Sequence, residues 1–199
     1  MPGVQLYMTP LSHFSRKVRV LLDLYALPYE AIDVGNVAGA EPGAFKDNPL
    51  MKVPVLVDGE AWILDSDHIA RYLVRKADPS DRYGVCTEAL FDLNARAVMN
   101  GVMSEEVKLI LARRTGVPVE AYAFFAKAVR SIEHGLRWPE AHAARFEADG
   151  LTYREIHLVC LWEHLAHYKI VPLHYERLAE VVARVSRSAI VARSSPRAG

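Results

Sequence analysis

Met51-Lys52-Val53-Pro54-Val55-Leu56-Val57-Asp58-Gly59, followed closely by Trp62-Ile63-Leu64-Asp65-Ser66-Asp67, decides the fold of the first part of the chain. Asp58-Gly59 lies between two short apolar runs. That is the strongest local signal for a tight hairpin, because a type I′ turn needs positive φ at both central positions. Two antiparallel strands are therefore expected. Pro54 opens the first of them, where a residue without an N–H is tolerated and where an X-Pro bond is sometimes cis. A cis bond would expose the Val53 backbone. The second strand runs into Asp65-Ser66, and Ser66 reads as the N-cap of a helix patterned by Ile69, Tyr72 and Leu73. The free N–H groups at that helix start then lie beside the Val53 backbone, and such an end attracts a carboxylate.

Upstream, Val4-Gln5-Leu6-Tyr7-Met8 alternates with period two, as a half-buried strand does, and Thr9-Pro10 breaks it. Phe14, Val18, Leu21, Leu22 and Tyr25 share one face of a helix whose N-cap is Ser12. Leu27-Pro28 ends that helix, and Tyr29 to Val34 reads as a second strand, so the three form a right-handed βαβ unit with parallel strands. A short helical turn is expected within Glu41 to Asp47. The order becomes β-α-β-α-β-β-α over residues 1–77.

Residues 78–86 are polar with Pro and Gly and read as a linker. Strand signals stop there, and residues 87–199 read as an all-helical domain. One helix runs from Thr87 to Arg114, ended by Gly116 and Pro118, and a second from Val119 to near Arg137, where Trp138-Pro139 stops it. A polar connection spans Glu140 to Gly150. Thr152-Tyr153-Arg154-Glu155 is a capping box. The helix it opens is apolar nearly all round, through Ile156, Leu158, Val159, Cys160, Leu161, Trp162 and Leu165, and is expected to be the buried spine of the domain. A last helix is expected from about Leu173 to Val191.

The chain has 199 residues, with 24 acidic against 24 basic side chains and an apolar share of 51%. That supports a packed core and gives no net field favouring nucleic acid or an anionic membrane. With no signal pattern at the N-terminus and no apolar run of the roughly 18 residues a bilayer requires, a soluble, cytoplasmic protein is expected. Cys86 and Cys160 are in no metal or redox spacing and are expected to be small core side chains. His157, His164 and His167 share one helix, yet no metal site is expected, because such histidines are more often core or surface residues.

Three stretches carry a family resemblance: Asn48-Pro49-Leu50-Met51-Lys52-Val53-Pro54-Val55-Leu56, Leu64-Asp65-Ser66-Asp67-His68-Ile69-Ala70-Arg71-Tyr72-Leu73, and Leu6-Tyr7-Met8-Thr9-Pro10-Leu11-Ser12-His13-Phe14-Ser15-Arg16-Lys17-Val18-Arg19. Together they resemble the glutathione-binding half of the cytosolic glutathione S-transferase superfamily, in the form of its bacterial, serine-type members. The resemblance implies an α/β thioredoxin-like N-terminal domain followed by an all-α C-terminal domain, acting as a homodimer. It also implies reduced glutathione as cofactor and thiolate transfer to a small apolar electrophile.

Residue by residue, it implies that Ser12 faces the sulfur and that the Ser66 hydroxyl and amide take the γ-glutamyl carboxylate. Asp65 takes the ammonium, the Val53 backbone beside cis Pro54 takes the cysteinyl amide pair, and Lys52 meets the glycine carboxylate. Ser15, Thr9 and Tyr7 are the alternative donors to the sulfur. His13 departs from the family pattern, which has proline there, and is expected to face solvent. Asp65 is shorter than the family's more frequent glutamate. Met99 and Met103, one turn apart, suit a variable apolar pocket or plain core packing.

The energetics are modest. A free thiol has a pKa near 8.5, and lowering it by about two units takes roughly 2.7 kcal/mol. One charge-assisted hydrogen bond supplies on the order of 1.5–3 kcal/mol and a helix N-terminus roughly 0.3–1 more. Arg16, Lys17 and Arg19 oppose the macrodipole of their helix, so an anion over its start or a solvated basic face is expected. Isomerisation, dehalogenation or peroxide reduction remain possible reactions of such a transferase. The alternative in another class is a non-catalytic, transferase-like protein that binds a protein partner.

Overall fold

Strand β1 (Val4–Met8) buries Val4, Leu6 and Met8 and leaves Gln5 and Tyr7 half-buried, the period-two alternation read from its sequence. Helix α1 (His13–Leu24) follows, then β2 (Tyr29–Asp33), a short 3-10 turn (Pro42–Phe45), the hairpin β3 (Val55–Asp58) and β4 (Ala61–Leu64), and α2 (Ser66–Ala77). The sheet order is β2-β1-β3-β4, with β1 and β2 parallel and the other two pairs antiparallel. This is the thioredoxin-like arrangement. The computed structural model describes residues 3–39, 41–147 and 150–196, and the chain divides into two units, residues 1–86 and 87–199.

The hairpin turn lies one residue later than expected. Asp58 pairs with Ala61 and remains in β3, so the central residues are Gly59 and Glu60. Gly59 has φ +62 and Glu60 is outside the left-handed region, the φ pattern of a II′ turn, which needs glycine only at its first central position. Asp58 is held in the strand because its carboxylate accepts the Tyr72 hydroxyl at 2.8 Å and the Lys76 ammonium, both from α2. Those contacts clamp the hairpin to the helix.

Residues 78–86 are tied by their own side chains. Asp78 accepts from the Ser80 hydroxyl and the Arg82 amide, and Asp81 accepts from the amides of Val85 and Cys86. Cys86 is half-buried and Cys160 buried, and neither is in a disulfide.

The second unit holds α3 (Leu90–Arg114), α4 (Ala123–Ala141), α5 (Tyr153–Tyr168), α6 (Glu176–Val185) and α7 (Ala189–Arg193), with 3-10 turns at Val119–Ala121 and Ala143–Phe146. The Thr152–Glu155 capping box is formed, and α5 buries both its faces over most of its length. Among the described residues no helix is long and apolar enough to cross a membrane.

Five helix boundaries differ from the sequence reading. Helix α3 starts at Leu90 rather than Thr87, because the Thr87 hydroxyl accepts the Ala89 amide in a local turn. Helix α4 starts at Ala123, after the 3-10 turn, and runs through Pro139 to Ala141 instead of stopping near Arg137. Its last turn is held by tertiary packing: Trp138 stacks on Phe91 of α3 at 5.2 Å, and Pro139 is buried. The final helix is two helices, broken around Ser186–Ser188, where the Ser186 hydroxyl turns aside to donate to Glu163 on α5 at 2.8 Å. Helix α6 begins at Glu176 rather than near Leu173, because the Glu140 carboxylate of α4 accepts the Arg177 and Leu178 amides at 3.2 and 2.9 Å.

Helices α3 and α4 meet at Gly135, where a Cβ would lie 2.3 Å from Val102 Cγ2. Valine in a helix has one strongly preferred χ1 and cannot swing aside freely. Gly135→Ala is therefore expected to destabilise the second unit by about 1–3 kcal/mol, despite alanine's better helix propensity, as read by urea unfolding.

Asp58 supplies a second expectation. The Lys76 hydrogen bond, aided by Tyr72, holds its carboxyl below the ordinary 3.8. A group with a depressed pKa stabilises the fold above its unfolded value, and that contribution is lost as pH falls through the folded value. Asp58→Asn should lower the thermal midpoint at neutral pH and flatten the acid limb below 3.8 relative to the parent.

Candidate functional site

Strand register brings three loops to one end of the sheet. Tyr7 of β1 pairs with Val55 of β3, and Val55 pairs with Leu64 of β4. The chain leaving β1 toward Ser12, the Val53-Pro54 peptide entering β3 and the Asp65-Ser66 segment leaving β4 therefore lie at the same end of adjacent strands. Residues more than fifty positions apart are gathered on a rigid platform.

At the β4 exit the N-cap of α2 is Asp65, which corrects the reading of Ser66 as the cap. Asp65 adopts φ +69 and ψ 131, and its Oδ1 accepts the Asp67 amide at 2.9 Å and the His68 amide at 3.2 Å. That φ/ψ pair lies outside the αL well and is costly for a side-chain-bearing residue, and the short carboxylate offsets the cost by reaching the second and third helical amides, as a cap must. Ser66 becomes the first residue of the helix, and it is buried. Its hydroxyl has no hydrogen-bond partner among the described residues. Asp65 itself is exposed, and its cap bonds use one oxygen.

The β3 entry carries the cis Val53-Pro54 peptide. Pro54 is buried, Val53 half-buried and Lys52 exposed. The loop before it is braced by Asn48, which sequence reasoning passed over except as part of a motif. Buried Asn48 donates Nδ2 to the Lys52 carbonyl at 2.7 Å and accepts the Leu50 amide at 3.0 Å, while its own carbonyl accepts the Met51 amide at 2.8 Å. Asn-Pro is a turn-initiation signal, but nothing in the sequence spells out a side chain spanning the loop to residue 52.

At the β1 exit Ser12 caps α1 as expected. Its Oγ accepts the Ser15 amide at 3.1 Å, and its amide donates to the Thr9 carbonyl at 3.1 Å. The hydroxyl keeps its proton to give, and the amide behind it polarises the O–H. Ser12, Thr9 and Tyr7 are half-buried, whereas Ser15 is fully buried and presents no donor to a ligand.

His13 is not solvent-facing. It is 1% exposed. Its Nδ1 accepts the Phe14 amide at 3.1 Å, and its ring meets the Phe14 ring edge-on. The imidazole thus folds back on the helix start and satisfies an amide there.

The basic run of α1 is largely absorbed within the first unit. Lys17 Nζ, fully buried, pairs with Asp67 Oδ1 at 3.0 Å. Arg19 donates to the Pro10 carbonyl at 3.3 Å. Lys17 therefore needs no external anion.

In the second unit Met99 and Met103 are buried core side chains. Buried His164 bonds through Nδ1 to Glu106 Oε1 at 2.7 Å, His157 is buried and His167 exposed.

Removing the Asn48 brace is expected to matter. Asn48→Ala removes both side-chain bonds that span the loop, and a stability loss of about 1–3 kcal/mol in the first unit follows, at about 0.5–1.5 kcal/mol for each hydrogen bond. Chemical denaturation followed through Trp62, on β4, reads it.

Residues 6–81 match the family model described as glutathione S-transferase, N-terminal domain. Over 77 residues the chain is 42% identical to a glutathione S-transferase zeta class of Euphorbia esula, covering 38% of this chain and 34% of that protein. Over 131 residues it is 30% identical to glutathione S-transferase TCHQD of Arabidopsis thaliana, covering 65% of this chain and 47% of that one. The chain thus spans between a third and a half of the length of these relatives. In fold it is similar to a glutathione S-transferase from Methylobacillus flagellatus KT crystallised with GSH bound, with a TM-score of 0.80 at 22% identity over 98% of this chain and 100% of that one.

Proposed function

For this chain, which belongs to the glutathione S-transferase superfamily, we propose that the first unit binds reduced glutathione and presents its thiolate to a small apolar electrophile. The observation that carries the reading is the division of labour at the α2 N-terminus. Asp65 consumes the Asp67 and His68 amides and leaves the Ser66 amide and hydroxyl for a carboxylate. Exposed Asp65 keeps an oxygen for an ammonium. A carboxylate receptor with a carboxylate beside it suits an α-amino acid zwitterion better than a simple anion, and the γ-glutamyl group is such a zwitterion.

The other parts follow. The cis Val53-Pro54 segment, held by Asn48, offers the Val53 backbone to the cysteinyl amide pair, and Lys52 reaches the glycine carboxylate. Ser12 donates its O–H to the sulfur and lowers the thiol pKa, so that the proton leaves to solvent. The thiolate then attacks the electrophilic carbon, forming a C–S bond while a leaving group departs or a double bond takes up a proton from water. The homodimer belongs to the same proposal and is supported by exposed Leu50, Met51 and Leu90; light scattering tests it.

Isothermal titration with reduced glutathione tests the core. Micromolar to low-millimolar binding is expected. Ser66→Ala should weaken it by about tenfold or more, the loss of one hydrogen bond to a charged group. Ser12→Ala should return the bound thiol pKa toward about 8.5, as read by thiolate absorbance, and weaken binding only by the several-fold that the lost thiolate stabilisation is worth near neutral pH. No binding at several millimolar would sink the transferase reading in favour of the non-catalytic interaction protein.

A further inference from the structure

Lys17 is a lysine with no exposed side-chain surface, a rare state for an ammonium unless a partner compensates the charge. That partner is not on its own helix. Asp67, in the first turn of α2, meets Lys17 Nζ at 3.0 Å and is itself 17% exposed. The ammonium also lies 5.6 Å from the centroid of the Phe14 ring. A buried cation in the second turn of α1 opposes that helix's macrodipole, so packing alone does not explain it.

The placement explains it. Asp67 is the residue after Ser66, and its two ends are fixed from different directions: its amide by Asp65 Oδ1 at 2.9 Å, its carboxylate by Lys17. Ser66 sits between Asp65 and Asp67 and cannot shift without breaking one anchor. Lys17 in turn belongs to the helix that Ser12 caps, five residues away and about 7.5 Å along the axis. One ion pair therefore joins the helix start that recognises the γ-glutamyl end of the ligand to the helix start that addresses its sulfur.

We propose that Lys17 and Asp67 are a positioning pair that sets the span between Ser66 and Ser12, so that a glutathione anchored at the first places its thiol on the second. This rests on the glutathione reading above. Neither side chain touches the ligand in this account; the pair acts through the two serines. If the span loosens, the ligand is still recognised at either end but not at both together. Binding weakens and the bound thiol loses part of its stabilisation.

Removing Lys17 or Asp67 alone breaks a largely buried ion pair on one side only and risks the fold. The decisive protein is the double variant Lys17→Met/Asp67→Asn, which leaves neither charge and keeps both side-chain volumes. Loss of both partners of a buried pair is often neutral for stability, so its thermal midpoint should stay near that of the parent. Parent and variant are titrated with reduced glutathione side by side, and the thiolate absorbance of each complex is followed against pH.

The expected result is a bound thiol pKa raised in the double variant and glutathione binding weakened several-fold, about as much as Ser12→Ala costs. Parent-like affinity and thiol pKa in the folded double variant would overturn the positioning role while leaving the glutathione site standing. Should the double variant not fold, Lys17→Arg serves the same end, since it keeps the charge and moves its position; parent-like values there overturn the proposal too. Failure of the parent itself to bind would overturn the site and the pair together.

Discussion

One carboxylate on a residue at positive φ holds the functional end of the first unit together. Asp65, at φ +69, ends β4, turns the chain and closes the Asp67 and His68 amides through a single oxygen. Without that turn α2 would not start where it does, and Ser66 would serve the helix instead of standing free of it. The difference between a cap and a first helical residue is one position in the sequence. It decides whether the hydroxyl at 66 is consumed by the backbone or offered to a ligand.

The remaining parts of the site are loops set by the sheet. The Tyr7–Val55–Leu64 register aligns the ends of β1, β3 and β4, and each following or preceding segment is then fixed by its own polar device: Ser12 on the Ser15 amide, Asn48 across residues 48–52, Asp65 on α2. None of these loops depends on regular hydrogen bonding, so each needs a buried or capping side chain to satisfy its backbone. The Asp58 clamp on Tyr72 and Lys76 adds a connection at the other end of β3, between hairpin and α2.

The second unit fixes its helix ends by the same logic, with the satisfying group drawn from another helix. Glu140 of α4 caps α6, Glu163 of α5 takes the Ser186 and Ser195 hydroxyls at either side of α7, and Arg184 of α6 reaches back to Glu155 inside the α5 capping box. Close approach of α3 and α4 at Gly135 completes the core. Each of these contacts joins residues far apart in the chain.

Sequence alone determined the elements whose cause is local. The alternation of β1, the Ser12 cap, the Thr152–Glu155 box, the apolar circumference of α5 and the motif around Val53-Pro54 and Ser66 all depend on residues within a few positions of one another, and short-range sterics and hydrogen bonding write them into the order of side chains. What only tertiary structure decided depends on partners the sequence does not place. Pro139 stays inside α4 because Trp138 stacks on Phe91. Asp58 stays in β3 because Lys76 and Tyr72 reach it, and His13 is buried at the start of α1 rather than exposed. Lys17 is absorbed by Asp67 rather than by an external anion, fifty residues away in sequence. Local periodicity sets which element forms, whereas the satisfaction of its ends and charges is settled only when the elements meet.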